Sequence, residues 1–162
     1  MAPAFGFIVP FYLIFRDLKL LDTHFALILL YLLPNLPFTI WMIRGFIQDL
    51  PKEIEESAMI DGCSRINALQ KIVFPLIRPG IVATAILAFI FSWNEFLFAF
   101  IITRTAARTI PVAIASYVGY MGIEWTKMCA SATISSIPIV VFFLLVQKYI
   151  IKGLTLGAFG KY

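Results

Sequence analysis

The sequence predicts an all-α, polytopic membrane helix bundle, and three observations carry that prediction. Hydrophobic residues make up 61% of the 162 residues and charged residues 14%, whereas a soluble domain usually has about 45–50% apolar residues. Three stretches are apolar enough and long enough to cross the roughly 30 Å hydrocarbon core of a bilayer. Ten charged residues fall between residues 44 and 78, so one polar segment interrupts an otherwise apolar chain.

The three predicted full spans cover residues 23–43, 80–102 and 130–151, which are 21, 23 and 22 residues long. At about 1.5 Å of rise per residue, each helix would be about 31 to 34 Å long. A fourth apolar stretch, residues 2–15, would reach only about 21 Å. We interpret it as a clipped N-terminal span and expect the biological chain to extend upstream of Met1, since no positively charged segment marks a secretory signal.

Basic residues predict which side of the membrane each connection occupies, because cytoplasmic flanks carry an excess of Lys and Arg. If the polar segment (residues 44–79) and the C-terminus lie inside, eight of the 13 basic residues are inside and five are outside. This bias favours a cytoplasmic polar segment and a cytoplasmic C-terminus. The net charge of +4 then reflects contact with an anionic inner leaflet, and no nucleic-acid partner is expected.

The two cysteines and the single histidine of the sequence do not indicate a metal site or a disulfide. Cys63 and Cys129 fall on opposite sides in this topology, so no disulfide is expected within the chain, and no CxxC or His-rich spacing indicates a metal. His24 is the only histidine, and we interpret it as a polar anchor at a membrane edge. The sequence predicts no catalytic residue, no bound metal and no cofactor on this chain.

Two prolines interrupt the span predicted over residues 23–43. Pro34 and Pro37 each remove a backbone donor and clash with the preceding turn, so we expect the helix to kink or break around Asn35. Discontinuous helices are common beside transport sites, which favours a pathway role for Asn35. A kink that only shapes the packing is the alternative.

A stripe of small and polar residues marks one face of the helix predicted over residues 80–102. A carboxylate inside a span costs about 2.5 kcal/mol or more if it faces lipid, so Glu95 is expected to face protein or water. Its role is then either in a solute pathway or in a hydrogen bond between helices. The stripe is formed by Thr84, Ala88, Ser92, Glu95 and Ala99. The substrate-pathway candidates are Asn35, Thr84, Ser92, Asn94 and Glu95.

Residues 103–129 are predicted to form an external connection with an apolar, aromatic stretch. That stretch is of a length typical of an interfacial or re-entrant segment, and it could anchor the loop or receive an external partner. The following span begins with pairs of small residues four positions apart, Ser131 with Ser135 and Ala132 with Ser136. Such pairs favour close approach of another helix.

The polar segment predicts two short amphipathic helices joined by a sharp turn. Pro51 suits the first helical position, Asp61 and Gly62 supply a stop, Ser64 can cap a second helix, and Pro75 is expected to end it. Such a pair could lie on the membrane, bind DNA or dock into a protein cleft. The first helix is acidic and both ends run into the bilayer, which disfavours DNA. A membrane surface requires no particular turn, so the sharp turn favours docking into a partner protein.

The stretch EESAMIDGCSRINALQKIVFP resembles the cytoplasmic EAA loop of permease subunits in binding-protein-dependent ABC importers. The family pattern places Glu, Ala, Gly, Ile and Pro at a fixed spacing, and this chain keeps that spacing with Glu56, Ala58, Gly62, Ile72 and Pro75. Ser57 and Phe74 are mild departures from the Ala and Leu of the pattern. The resemblance implies docking and coupling to an ATPase through Glu56, Ala58, Asp61, Gly62, Ile66, Leu69, Ile72 and Pro75.

Other segments resemble the carbohydrate branch of this family, and in particular the second permease subunit of maltose-type importers. They are LKLLDT, Leu36 to Phe38, SWNEFLFA and GLTLGA, which together extend the resemblance over essentially the whole chain. Members usually have six spans, so the chain resembles the C-terminal four. That supports the expectation of a clipped first span.

The resemblance implies a permease subunit of a bacterial or archaeal cytoplasmic membrane, surrounded by lipid. Its implied partners are a cytoplasmic ABC ATPase dimer, a second permease subunit, an external solute-binding protein and a small solute, with sugar favoured. The chain has no G-x-x-x-x-G-K-[ST] motif, so ATP and Mg are expected on the ATPase. The alternatives are an ABC permease for an amino acid or polyamine and a transporter that needs no ATPase; the internal repeats typical of secondary transporters are not found.

Overall fold

The computed structural model describes residues 4–119 and 122–159, and this part of the chain is helical apart from one small hairpin. Its elements, in chain order, are α1 (Ala4–Asp17), α2 (His24–Gln48), α3 (Lys52–Ile60), α4 (Arg65–Ala68), a π turn (Leu69–Val73), α5 (Phe74–Trp93), α6 (Leu97–Ile102), α7 (Ile110–Ala115), β1 (Val118–Gly119), β2 (Gly122–Ile123) and α8 (Trp125–Phe159). The two strands are antiparallel, with Val118 opposite Ile123. The predicted fold class is confirmed.

Three helical runs in the described residues are long and apolar enough to cross a membrane: His24–Gln48, Arg65–Trp93 and Trp125–Leu144. The last run begins five positions before the predicted residue 130 and belongs to a helix that continues to Phe159. The short stretch predicted over residues 2–15 corresponds to α1, which has 14 residues; residue 2 lies outside the described part.

The helix predicted over residues 80–102 is interrupted. α5 ends at Trp93 and α6 begins at Leu97, so Glu95 and Ala99 do not continue the face that carries Thr84. Asn94 donates twice to the Ile90 carbonyl oxygen, from its side-chain Nδ2 at 2.8 Å and from its backbone amide at 3.1 Å, and α5 ends just before it. The apolar run therefore divides between two helices.

The second helix of the polar segment does not end at Pro75, which corrects the prediction. α4 passes through the π turn into α5, and the Phe74 amide donates to the Leu69 carbonyl oxygen, five residues back. The wider turn accommodates the proline ring at Pro75, which cannot donate a backbone hydrogen bond. α2 likewise continues through Pro34 and Pro37 without a break.

The chain forms two compact units. The first contains the chain up to Asn35 together with Ile90–Val140. Its core contains residues from α1, α2, α6, α7 and the connection between α6 and α7: Phe15, Ala26, Leu27, Leu30, Ala99, Ile102, Ala107 and Val112. Because Val112 of α7 is buried there, part of the predicted external connection is folded into this unit.

The second unit contains Leu36–Phe89 and the chain from Val141. Its buried residues include Ala58, Ala68, Val73 and Ile77, and α3 packs against α4 and the π turn. Gly80 is buried on α5, and a Cβ built there would lie under 3.0 Å from three ring atoms of Phe46 on α2. Glycine therefore permits the close approach of these two helices.

Gly80→Ala should destabilise the protein. The added methyl group overlaps the Phe46 ring, and overpacking of this kind costs about 1–3 kcal/mol. Gly45→Ala is the matched control, since a Cβ there meets nothing within 4 Å and alanine favours a helix. Thermal unfolding midpoints in one detergent measure both; equal midpoints for the two variants would contradict the packing described.

Candidate functional site

The first helix of the polar segment is placed by its flanking residues. Pro51 has φ −59° and ψ 130°, so it precedes α3 as the N-cap rather than occupying the predicted first helical position. Glu53 and Glu55 lie in the first turn, where the helix dipole favours negative charge. α3 is therefore a short helix of nine residues with an acidic first turn.

Gly62 ends α3 in the predicted way. Its φ is +86°, and the Cys63 amide donates to the Ala58 carbonyl oxygen at 3.0 Å while the Gly62 amide donates to Met59 at 3.1 Å. These two bonds form a Schellman motif, whose left-handed residue is usually glycine. The direction in which the chain leaves α3 therefore depends on a backbone conformation that few other residues adopt.

Ser64 begins the second helix, as predicted. Its side chain accepts a hydrogen bond from the Asn67 amide at 3.3 Å, and its backbone is extended at ψ 156°. Arg65 Nε lies 3.4 Å from Glu55 Oε1, which links the two helices by an exposed ion pair. A pair of this exposure contributes little stability, so the turn and the cap define the geometry.

α4, the π turn and α5 form one helical run from Arg65 to Trp93. The part of this run up to Phe89 belongs to the second unit, as does α3. The second helix of the polar segment is therefore continuous with a helical run that is long and apolar enough to cross a membrane.

The predicted coupling residues divide into buried and exposed sets. Ala58 is 4% exposed and packs α3 against the following helix, whereas Ile66 and Leu69 are 68% and 51% exposed. Ile60, which was not predicted, is 85% exposed at the C-terminal end of α3. Glu56, Asp61, Gly62 and Pro75 are exposed and Ile72 is half-buried. The polar segment thus presents an apolar surface flanked by charges.

Two of the pathway candidates meet in the first unit. Asn35 Nδ2 donates to Ser92 Oγ at 3.0 Å and to the Tyr31 carbonyl oxygen at 2.8 Å. This joins α2 to the last turn of α5 at the point where the prolines of α2 have removed backbone donors. The pathway role of both side chains stays a prediction.

Glu95 caps the helix that follows the interruption. Its Oε1 accepts from the Phe98 amide at 2.8 Å and its Oε2 from the Ala99 amide at 3.1 Å. The buried Tyr31 hydroxyl lies near this carboxylate, but no hydrogen bond of proper geometry joins the two groups. The carboxylate therefore pairs with backbone donors rather than with lipid.

The other two candidates lie in different surroundings. Thr84 is 1% exposed and donates to the Gly80 carbonyl oxygen at 2.8 Å, so it belongs to the interior of the second unit. Asn94 is exposed at the end of α5 and lines a cavity of the first unit. Thr84 therefore belongs to the second unit, and the other four candidates belong to the first.

Asp22 is a polar site that the sequence reading missed. Its carboxylate accepts the backbone amides of Arg104, Thr105, Ala106 and Ala107 at 2.8 to 3.1 Å. The bonds from Ala106, Arg104, Ala107 and Thr105, in that order, hold the pKa of the Asp22 carboxyl well below its ordinary value. This carboxylate fixes the start of the connection after α6 to the turn before α2.

A known protein family matches most of this chain. Residues 1–156 match the family described as "Binding-protein-dependent transport system inner membrane component". The chain belongs to this family. It is thus a multi-pass membrane protein of a transport permease family, as the polar segment indicated.

Several relatives in this permease family carry sugar names. The chain is 41% identical to the trehalose/maltose transport system permease protein of Thermococcus litoralis, over 98% of this chain and 58% of the relative. It is 40% identical to the trehalose transport system permease protein of Mycobacterium tuberculosis, over 98% and 59%. It is 37% identical to the diacetylchitobiose uptake system permease protein of Streptomyces coelicolor, over 98% and 58%. The chain spans between half and two thirds of the length of these relatives.

Replacement of Glu95 should weaken the start of α6. Glu95→Ala removes both acceptors and is expected to cost about 1 kcal/mol, as for other helix caps, while Glu95→Gln keeps one acceptor and should cost less. Thermal unfolding gives the order of stability. If capping is the whole role, Glu95→Gln leaves the solute preference unchanged; a changed preference at native stability would contradict that and favour the pathway role.

Replacement of Asp22 should destabilise the protein at neutral pH. Asp22→Asn removes the charge that the four amides stabilise, so its unfolding midpoint should fall below that of the native chain. The folded pKa is depressed, so the stabilisation is complete above the ordinary pKa of 3.8 and is lost as the pH falls through the folded pKa.

The deficit of Asp22→Asn should therefore persist across the neutral range and shrink only in strong acid. Asp49→Asn, at an exposed aspartate after α2, is the control and should unfold like the native chain. A deficit that disappeared between pH 7 and pH 5 would assign the effect to another group.

Proposed function

We propose that this chain is part of the transmembrane permease subunit of an ATP-driven, binding-protein-dependent importer of sugars. The observation that carries the proposal is the exposed helix–turn–helix of the polar segment, joined without a break to a membrane-spanning helix. The family and the names of its sugar-permease relatives support the same function.

In this proposal, the polar segment docks into a groove of a cytoplasmic ATPase dimer. Ile66 and Leu69 supply exposed apolar contacts, and Glu56 and Asp61 supply charges around them. An apolar helical surface with a polar margin is typical of helix-in-groove recognition. ATP and Mg bind to the ATPase, and this chain performs no hydrolysis.

Coupling then follows from the continuity of the helix. Closure of the ATPase dimer moves α3 and α4, and the run from Arg65 to Trp93 carries that movement into the membrane. The helices thereby switch from an inward-facing to an outward-facing arrangement, a rigid-body transition. The Schellman turn at Gly62 keeps α3 and α4 at a fixed angle while the load passes through them.

The remaining partners follow the same topology. The exposed apolar residues of α8, such as Ile137 and Phe143, suit lipid or a second permease subunit. The connection from α6 to α8, with its β1–β2 hairpin, lies on the external side and faces the solute-binding protein. Trehalose, maltose and diacetylchitobiose are the first sugars to test, because these relatives bear their names.

Gly62→Val tests the coupling. A β-branched residue at φ +86° is strained, and a left-handed conformation costs an ordinary residue about 1–2 kcal/mol. A penalty of that size lowers the ratio of competent to displaced turn about five- to thirtyfold, so sugar uptake should fall by up to that factor. The complete importer in proteoliposomes should keep its basal ATP hydrolysis.

Gly62→Asn is the matched control, because asparagine tolerates positive φ and a Cβ at this position meets nothing within 4 Å. It should retain most of the uptake. Native rates of uptake by Gly62→Val would contradict the coupling role, and uptake of an amino acid or polyamine in place of any sugar would overturn the assigned solute.

A further inference from the structure

A cavity of about 370 Å³ lies in the first unit, at the end of α5 and between α7 and α8. Its volume falls in the ~300–1,000 Å³ range of small-molecule sites. The residues of its wall that matter for recognition are Trp93, Asn94, Pro111, Ile114, Ser135 and Ser136. All of them belong to the same unit.

The polar groups of this wall can hydrogen-bond to a ligand. Asn94 uses one of its two amide donors on the Ile90 carbonyl oxygen, at 2.8 Å. The Ser135 hydroxyl donates to Ala132 at 2.8 Å and the Ser136 hydroxyl to Thr133 at 2.7 Å. Each serine oxygen thus donates its proton to its own helix and retains lone pairs for a ligand hydroxyl.

The apolar part of the wall is an indole, a proline ring, three isoleucines and an alanine. A sugar ring has the complementary character, since its C–H groups form apolar patches that pack on aromatic faces while its hydroxyls point outwards. The large, rigid surface of tryptophan suits such packing. The sugar hydroxyls would then form hydrogen bonds with Asn94 and the serines.

The charge of the wall distinguishes classes of solute. Among the described residues that line this cavity, none is a carboxylate or a cation. An amino acid or a polyamine bound here would find no charged side chain to pair with among these lining residues. A neutral polyol needs only the donors and acceptors that the wall provides.

We infer that this cavity binds one ring of the transported sugar, with Trp93 as its apolar wall and Asn94, Ser135 and Ser136 as its polar contacts. The inference rests on the proposed function and deepens it, because it assigns solute contacts to this chain. Ser135 and Ser136 each belong to one of the pairs of small residues on α8, and both line the cavity.

Protection of an engineered cysteine tests the inference in the complete importer. Ser136→Cys is prepared in a background that carries Cys63→Ser and Cys129→Ser, and its reaction with a small maleimide is timed with and without sugar. The sugar is whichever of trehalose, maltose and diacetylchitobiose the importer takes up. We expect the sugar to slow the modification at least severalfold.

Thr133→Cys is the matched control. Thr133 and Ser136 are both exposed on α8 and both donate to a carbonyl oxygen of their own helix, but Thr133 does not line the cavity. Its modification should be unchanged by the sugar. A disaccharide that the importer does not take up is the second control and should protect neither cysteine.

The other outcomes separate the two proposals. If a sugar is taken up but does not protect Ser136→Cys, the cavity is not a sugar site, although the proposed function stands. If Ser136→Cys cannot be modified in the assembled importer, a neighbouring subunit fills the cavity and the inference is overturned. If no sugar is taken up, the proposed function fails and the inference fails with it.

Discussion

Backbone N–H groups at the ends of helices lack partners within their own helix, and this constraint explains where several polar side chains of this chain lie. Glu95 pairs two amides at the interruption between α5 and α6. Asp22 pairs four consecutive amides after α6, and Ser64 pairs an amide after the turn at Gly62. Each of these polar side chains therefore lies at the end of a helix.

In the apolar segments, the hydrogen bonds of a polar side chain show whether it stabilises a helix end or borders a cavity. A carboxylate such as Glu95 draws attention in a hydrophobic sequence, yet its bonds are those of a cap. Less conspicuous groups, the neutral side chains of Asn94, Ser135 and Ser136, border the space in which a small molecule could lie. For a neutral solute, hydrogen-bonding groups around a cavity are a better guide than charge.

The local features of the polar segment could be predicted because short-range chemistry decides them. Positive φ at Gly62 and the cap at Ser64 follow from residue type and spacing, and both are present. The continuation through Pro75 could not be predicted, because it depends on a π turn that the sequence does not mark. The role of Asp22 was hidden for another reason, since its partners lie more than 80 positions away and are backbone groups without a side-chain signature.

In the proposed importer, the polar segment holds the ATPase, and co-purification of the ATPase with this chain tests that contact. The chain is co-expressed with its ATPase and second permease subunit and purified in detergent, as native protein, as Ile66→Asp and as Val118→Asp. Ile66 and Val118 are 68% and 54% exposed, so a charge at either should leave the fold intact, but only Ile66 lies in the polar segment. We expect the native chain and Val118→Asp to retain the ATPase and Ile66→Asp to lose it. Equal retention by all three would contradict the proposed contact.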